Sequence, residues 1–600
     1  MKNKVGKHWF IGLSYMVKVY WKYHKPTLFY QVIVCVLEGV LPFAGIVFPK
    51  YIIDELTGAH DISRIVFFVT VLLLCSLFGN TFIGFVQARR EMGQARIYNG
   101  WVMDLIRRLY EADLERLEAS SFLDLQSRAY KFLEADGYGF GAVLGKTADI
   151  AGRIITLVGI ISIISLLNPL VVLVFIGLVI ITTLFNSQNK KVSVELQMGL
   201  PPVQRRSSYY SNLFSNNLYA KELRINDMGA WGLKKVNEYV GLFYDFTKKW
   251  WANNLKAQMF GNGVAFIQQG VAYAYLVYGV INGQFGIGSF TMYLAAINAF
   301  SGSMNAVMNN IIDIRRYSDY YDAVDEFMNM PKRQREGKQA LTLATAPALE
   351  FRDVSFRYPG QEAFTLKHIN IVIPAGQKLS VVGENGAGKT TFTKLLMRLY
   401  RPTEGVILLN GVDIQEYDFD DYERNFSVVF QDFVLFAASL RENVTAGHDV
   451  DDAKAIDALR RSGFSDKLDR LEKGLDTPIY KILDESGFEP SGGEGQKIVM
   501  ARALLKDAPV VILDEPTAAL DPRAEYEIYM HFNNMVAGKT AVFISHRLSS
   551  AQFCDKIAVF KNGEIVEHGS HTELVSRGGL YHELFSMQAQ FYGEQDAEKH

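Results

Sequence analysis

The sequence predicts two structural classes in one chain: an all-α membrane domain of six spans, then an α/β domain of the P-loop NTPase type. Apolar residues make up 49% of the 600, and the excess collects before residue 330 in runs long enough to cross a bilayer. After Met330 short β-branched runs alternate with helical stretches, the pattern of buried, largely parallel strands. Among them stands Gly383-Glu384-Asn385-Gly386-Ala387-Gly388-Lys389-Thr390-Thr391, where an apolar strand end runs into a glycine-rich turn and then a helix. A chain this long exceeds one core, so at least two domains follow from size. The net charge of −2 argues against a nucleic-acid partner. Cys35, Cys75 and Cys554 support neither a disulfide framework nor a Cys-based zinc site, which puts the nucleotide chemistry in reducing cytosol.

Residues 1–330 form the expected membrane domain. At 8–24, aromatics mixed with Lys18 and Lys22 suit a helix lying in the membrane interface, and no signal-peptide cleavage site follows. Apolar runs recur at about 27–48, 65–86, 153–168, 170–186, 260–281 and 290–311, each near the ~20 residues a helix needs to span. Asn168-Pro169 reads as a hairpin tip between the third and fourth runs. The connections around 168 and 282–289 carry no Lys or Arg, whereas 87–150 and 187–259 hold Arg89, Arg90, Arg107, Arg108, Lys190, Lys191, Arg205, Arg206, Lys248 and Lys249. The positive-inside rule then makes both long segments and both termini cytoplasmic. Each long segment is rich in helix formers and should extend the spans into cytosol, turning back through a short crosswise piece near Ser120–Ala129 and near Ser211–Leu223. Asn298, Ser301, Asn305 and Asn309 share one face of the last span, and Asn262, Gln269 and Tyr273 one face of the fifth. Glu38 is the ionisable residue well inside a run. Lining of a pathway and interhelical hydrogen bonding both account for these groups.

A charged linker, 331–348, leads to a nucleotide-binding domain expected over 349–592. Its strands are read at Leu379–Val382, Ser427–Phe430, Val510–Leu513 and Ala541–Ser545. In the glycine-rich turn the backbone N–H groups of Gly386 to Thr390 point at phosphate oxygens, Lys389 neutralises the β/γ-phosphates and the Thr390 hydroxyl ligates Mg²⁺. Asp514 and Glu515 end a buried strand, where α/β sheets hold ligands. Asp514 then belongs to the Mg²⁺ shell, Glu515 acts as general base toward the attacking water, and His546 reaches the γ-phosphate.

Together these motifs resemble the nucleotide-binding domain of the ATP-binding cassette family, and the matches run from 349 to about 590 in the family's order. The resemblance implies adenine stacking by Tyr358, nucleotide contacts from Gly383, Asn385, Gly386, Gly388, Lys389, Thr390 and Thr391, and metal ligation by Gln431 beside Thr390 and Asp514. It also implies a catalytic role for Gln431 and His546 and a D-loop at Asp521. Fused behind six spans, the domain resembles a half-size exporter with two coupling helices per protomer. ATP and Mg²⁺ are then expected, with residence in the cell membrane and a second half-transporter as partner. The stretch Ala220-Lys221-Glu222-Leu223-Arg224 resembles bacterial peptide and lantibiotic exporters, which puts peptide first and amphipathic drugs or lipids second as cargo. No cysteine-peptidase domain is read before the first span, so leader removal is not implied. A cassette regulator without transport is the rival of a different class.

One motif departs from the family. Pro490-Ser491-Gly492-Gly493-Glu494 stands for the usual L-S-G-G-Q signature. Ser491, Gly492 and Gly493 can still face a γ-phosphate, but Glu494 brings a carboxylate toward it and Pro490 restricts the approach, so slower hydrolysis is expected at the site it completes. A homodimer tolerating this variant and a heterodimer whose partner supplies an intact signature both remain open.

Overall fold

The computed structural model describes residues 5–131, 140–165, 200–331, 337–515, 536–545 and 548–597, with scattered residues between 174 and 196. The chain divides into two compact units, one of Met1–Tyr110 with Leu123–Met330, the other of Glu111–Phe122 with Pro331–His600.

The first unit is helical. Among the described residues, four stretches are long and apolar enough to cross a membrane: Lys25–Thr57, Ile62–Tyr110, Val143–Ser165 and Gly229–Ile281. The expected first span is two helices, Lys25–Val40 and Pro42–Thr57, because Pro42 supplies no N–H to the ladder while Leu41 keeps helical angles. Most of the expected fourth span and the Asn168-Pro169 tip lie outside the described residues. The expected sixth span sits in the helix Ile287–Met328, which is not among the four. Its amides at 298, 305 and 309 dilute the apolar character, while its opposite face buries Ala296, Ile297 and Phe300.

Small residues let these helices touch. A Cβ at Gly39 would meet the Gly152 carbonyl oxygen at 2.9 Å, and one at Gly152 would meet that of Cys35 at 2.8 Å. Glu38 accepts a hydrogen bond from Gln87 at 2.9 Å, so its polar partner is protein. The exposed amides Gln269 and Asn298 meet at 3.4 Å. Short helices occupy Leu114–Leu117, Ser120–Lys131 and Asn217–Ile225, around the two expected cytoplasmic turns.

Among its described residues the second unit holds two sheets. Strands β1 (Leu349–Phe356), β2 (Leu366–Ile373), β4 (Glu404–Leu409) and β5 (Val412–Asp413) form an antiparallel sheet in the order β2-β1-β4-β5. Strands β3 (Lys378–Gly383), β6 (Phe426–Val429), β7 (Val510–Asp514), β8 (Thr540–Ile544), β9 (Lys556–Lys561) and β10 (Glu564–Gly569) form the other, in the order β10-β9-β3-β8-β7-β6. All pairs of the second sheet are parallel except β9 with β10. Its inner strands β7 and β8 are buried throughout, as continuous apolar runs require when both faces are covered. The antiparallel sheet is not among the expected strands; β2 alternates buried and open positions, the mark of a sheet with one solvated face. The core between the sheets gathers Leu349, Phe351, Phe392, Val381 and Ile544.

Candidate nucleotide-binding site

Strand order places the site. β3 and β7 both pair in parallel with β8, so Gly383 and Asp514 end strands one apart at the same edge of the sheet, where ligands sit in open α/β sheets. Two glycines are required by space. A Cβ on Gly383, at φ +149°, would lie 2.2 Å from the Phe560 carbonyl oxygen, and one on Gly388, at φ +104°, would lie 2.5 Å from Leu366 Cδ2. Gly388 caps the helix Lys389–Leu396 without a side-chain hydrogen bond. The first N–H groups of that helix are therefore left to a ligand, and its dipole favours an anion there.

Lys389 is 5% exposed. Its ammonium donates to the carbonyls of Gly383 at 2.9 Å and Glu384 at 3.0 Å, folded back over the loop. Burial lowers its pKa, and the charges of Glu515 and Asp514 oppose that shift. Asp514 is the reverse case. Burial, then the neighbouring Glu515 charge, push its carboxyl up to about 6, against the pull of the Thr390 hydroxyl and Lys389. Asp514 is 3% exposed and its Oδ1 is buried with no hydrogen-bond partner. A buried, unsatisfied carboxylate oxygen beside a threonine hydroxyl fits a hard divalent cation such as Mg²⁺.

Glu515 stands at φ +48°, a left-handed backbone rare outside glycine, held by its N–H donating to Ile544 O at 3.0 Å. Its Oε2 accepts a hydrogen bond from Gln431 Nε2 at 2.9 Å. Loop, Asp514, Glu515 and Gln431 thus form one cluster. Tyr358 joins it through its hydroxyl, which lies 3.0 Å from Thr391 Oγ1, while its ring meets Phe356 and Tyr400 edge-on. Asn385 is exposed at the tip of the loop. Asp521 and His546 lie outside the described residues.

Ser491, Gly492 and Gly493 open another helix, Gly492–Lys506, and no hydrogen bond among the described residues joins them to the phosphate loop. Here the structure adds what the sequence reading missed. Ser491 and Glu494 form a capping box: Glu494 Oε2 accepts from the Ser491 N–H and hydroxyl, both at 2.8 Å, and Ser491 Oγ accepts from the Glu494 N–H at 3.3 Å. The Glu494 carboxylate also pairs with Lys467 at 3.2 Å. Burial raises its pKa, but the Ser491 N–H and hydroxyl and Lys467 outweigh this and hold it below the usual carboxylate range. The signal was in the sequence, since S-x-x-E caps a helix start, and the same box recurs at Ser439–Glu442 and Ser570–Glu573.

Residues 366–518 match the family model described as ABC transporter. The subtilin transport ATP-binding protein SpaT of Bacillus subtilis is 27% identical over 563 residues, covering 92% of this chain and 89% of that protein. The ATP-dependent lipid A-core flippase of Bordetella avium (strain 197N) is 34% identical over 303 residues, about half of each chain. A bacterial Atm1-family ABC exporter with ATP bound has the same fold, at a TM-score of 0.78 and 22% identity, covering 94% of this chain and 98% of that one. Residues 366–518 thus carry an ABC transporter domain, and the chain has the fold of an ABC exporter over most of its length.

Proposed function

We propose that the chain is one half of a dimeric exporter that hydrolyses ATP to move a peptide across the cytoplasmic membrane. The observation that carries it is the convergence of the phosphate loop, Asp514, Glu515 and Gln431 in a chain whose described residues also include four membrane-length apolar stretches. Lys389 exchanges its two loop carbonyls for phosphate oxygens, and the open start of the helix Lys389–Leu396 binds the same anion. Thr390, Gln431 and Asp514 would hold Mg²⁺, which would supply charge neutralisation to the bound phosphates. Glu515, aimed by its bond to Gln431, takes the proton from the attacking water. Tyr358 stacks on adenine. His546 and Asp521 keep the γ-phosphate and D-loop roles that the family resemblance implies. Ser491, Gly492 and Gly493 complete the ATP site of a second half-transporter, whose own signature faces Glu515.

Peptide is favoured over lipid because SpaT, a subtilin transport protein, matches through the membrane half, whereas the flippase match spans half of each chain. The test is reconstitution into liposomes with a lanthionine-type peptide in one arm and a fluorescent lipid in the other. ATP-dependent peptide accumulation that is lost in Glu515→Gln supports the reading. Lipid flipping alone makes it a flippase, and neither makes it a regulator.

A further inference from the structure

The segment Glu111–Phe122 belongs to the second unit, yet it continues in sequence from the membrane-length helix Ile62–Tyr110. Leu114 packs against the core of that unit, and the Tyr400 hydroxyl donates to Glu118 Oε2. Tyr400 is 3% exposed. Burial first, then the Glu118 carboxylate, raise its pKa, so it stays a donor at any physiological pH. The same ring reaches toward the nucleotide. Tyr400 and Tyr358 meet edge to face, centroids 5.3 Å apart at 84°, and Phe356 sits edge-on to both, 5.5 Å from Tyr400 and 5.0 Å from Tyr358. At its far end Tyr358 is tied by its hydroxyl to Thr391 on the phosphate-loop helix. No role assigned above uses Tyr400 or Glu118.

We propose that Tyr400 is a positioning residue linking the adenine-stacking ring of Tyr358 to Glu118, so that nucleotide occupancy and the order of Glu111–Phe122 depend on each other. This rests on Tyr358 being the adenine platform. Adenine on the open face of Tyr358 fixes a ring that packs edge-on against Tyr400, and this fixes the direction of the Tyr400 hydroxyl. The phenol-to-carboxylate bond is charge-assisted, and Glu118, exposed at the rim, is ordered by it. Linkage then requires that ordering the segment strengthen nucleotide binding by the same factor.

The test uses the full chain in lipid nanodiscs and follows hydrogen–deuterium exchange at residues 111–122 with and without saturating Mg-AMP-PNP. In the wild type, nucleotide should slow exchange by about fivefold or more, the lower end of allosteric coupling. Tyr400→Phe keeps the ring and loses the hydroxyl, and should abolish this slowing; Glu118→Ala, which removes the acceptor at the other end of the bond, should do the same, with no further loss in the double variant. A merely structural tyrosine would raise exchange equally in both nucleotide states and preserve their ratio, which overturns the proposal. Wild-type exchange indifferent to nucleotide also overturns it. Tyr358→Ala separates the proposal from the reading beneath it: MANT-ATP binding as tight as wild type removes both. Weakened binding there, with slowing intact in Tyr400→Phe, removes the relay alone.

Discussion

Two helices of the nucleotide-binding unit begin where a phosphate is expected, and they begin differently. The helix Lys389–Leu396 opens on Gly388, whose backbone is left-handed and whose cap carries no side-chain hydrogen bond. The helix Gly492–Lys506 opens on Ser491, whose hydroxyl and N–H are both taken by Glu494. An open start leaves several N–H donors to an outside anion, whereas a capping box supplies an inside one. Lys467 neutralises that internal carboxylate, so the second helix start is satisfied without nucleotide. On the proposed reading the first holds ATP, and the second must release Ser491 before it can serve a phosphate.

The largest expected effect lies at the Gln431–Glu515 cluster beside the open start. Glu515→Gln should lower ATP turnover by about 10² to 10⁴-fold, the usual share of a general base, while MANT-ATP still binds. Residual hydrolysis above about a tenth of wild type removes Glu515 from that role.

Asp514 comes next, because its buried charge carries a cost in stability. Its carboxyl lies at about 6 rather than 3.8, so the charged form is disfavoured in the folded chain above that pH by up to about 3 kcal/mol. The sign follows from the raised pKa: the folded state binds the proton more tightly, so the cost is full above about 6 and disappears as pH falls toward 3.8. Asp514→Asn should therefore raise the thermal midpoint of the nucleotide-free chain at pH 7.5, with a gain that shrinks below pH 6, and should abolish Mg-ATP turnover. A lower midpoint at pH 7.5 contradicts the strain.

Tyr358 ranks third. Tyr358→Ala should weaken MANT-ATP binding by about 1 to 3 kcal/mol through lost stacking. Tyr358→Phe, which loses the Thr391 contact, should cost about 0.5 to 1.5 kcal/mol or less. Equal losses in isothermal titration would make the hydroxyl, not the ring, the nucleotide contact.

The open helix start was legible because its chemistry is local: four constrained positions within eight residues define the loop, and Gly383 and Gly388 are required by contacts that any such turn makes. Strands β3, β6, β7 and β8 were legible as unbroken apolar runs. The antiparallel sheet was not, because its members take register from partners far along the chain, such as Leu349 opposite Ile373 and Leu409. Gln431 meeting Glu515 was likewise hidden, since 84 residues separate them and the bond exists only once β6 lies beside β7. At Ser491 the opposite happened. The S-x-x-E spacing is present in the sequence, but it coincides with the signature positions, so the same residues read as a signature lacking its glutamine rather than as the cap that Ser439 and Ser570 also form.

The division between an open and a self-capped helix start is tested most directly by the ATPase rate of the chain purified alone, wild type against Pro490→Leu with Glu494→Gln. A glutamine in place of Glu494 would keep an acceptor for Ser491 but lose the charge that holds its hydroxyl and Lys467, so the hold weakens by roughly 1 kcal/mol, a several-fold effect. The account predicts slow turnover in the wild-type chain and a several-fold rise on restoration. A wild-type chain that is already a stable dimer with brisk turnover, unchanged by the restoration, would contradict it.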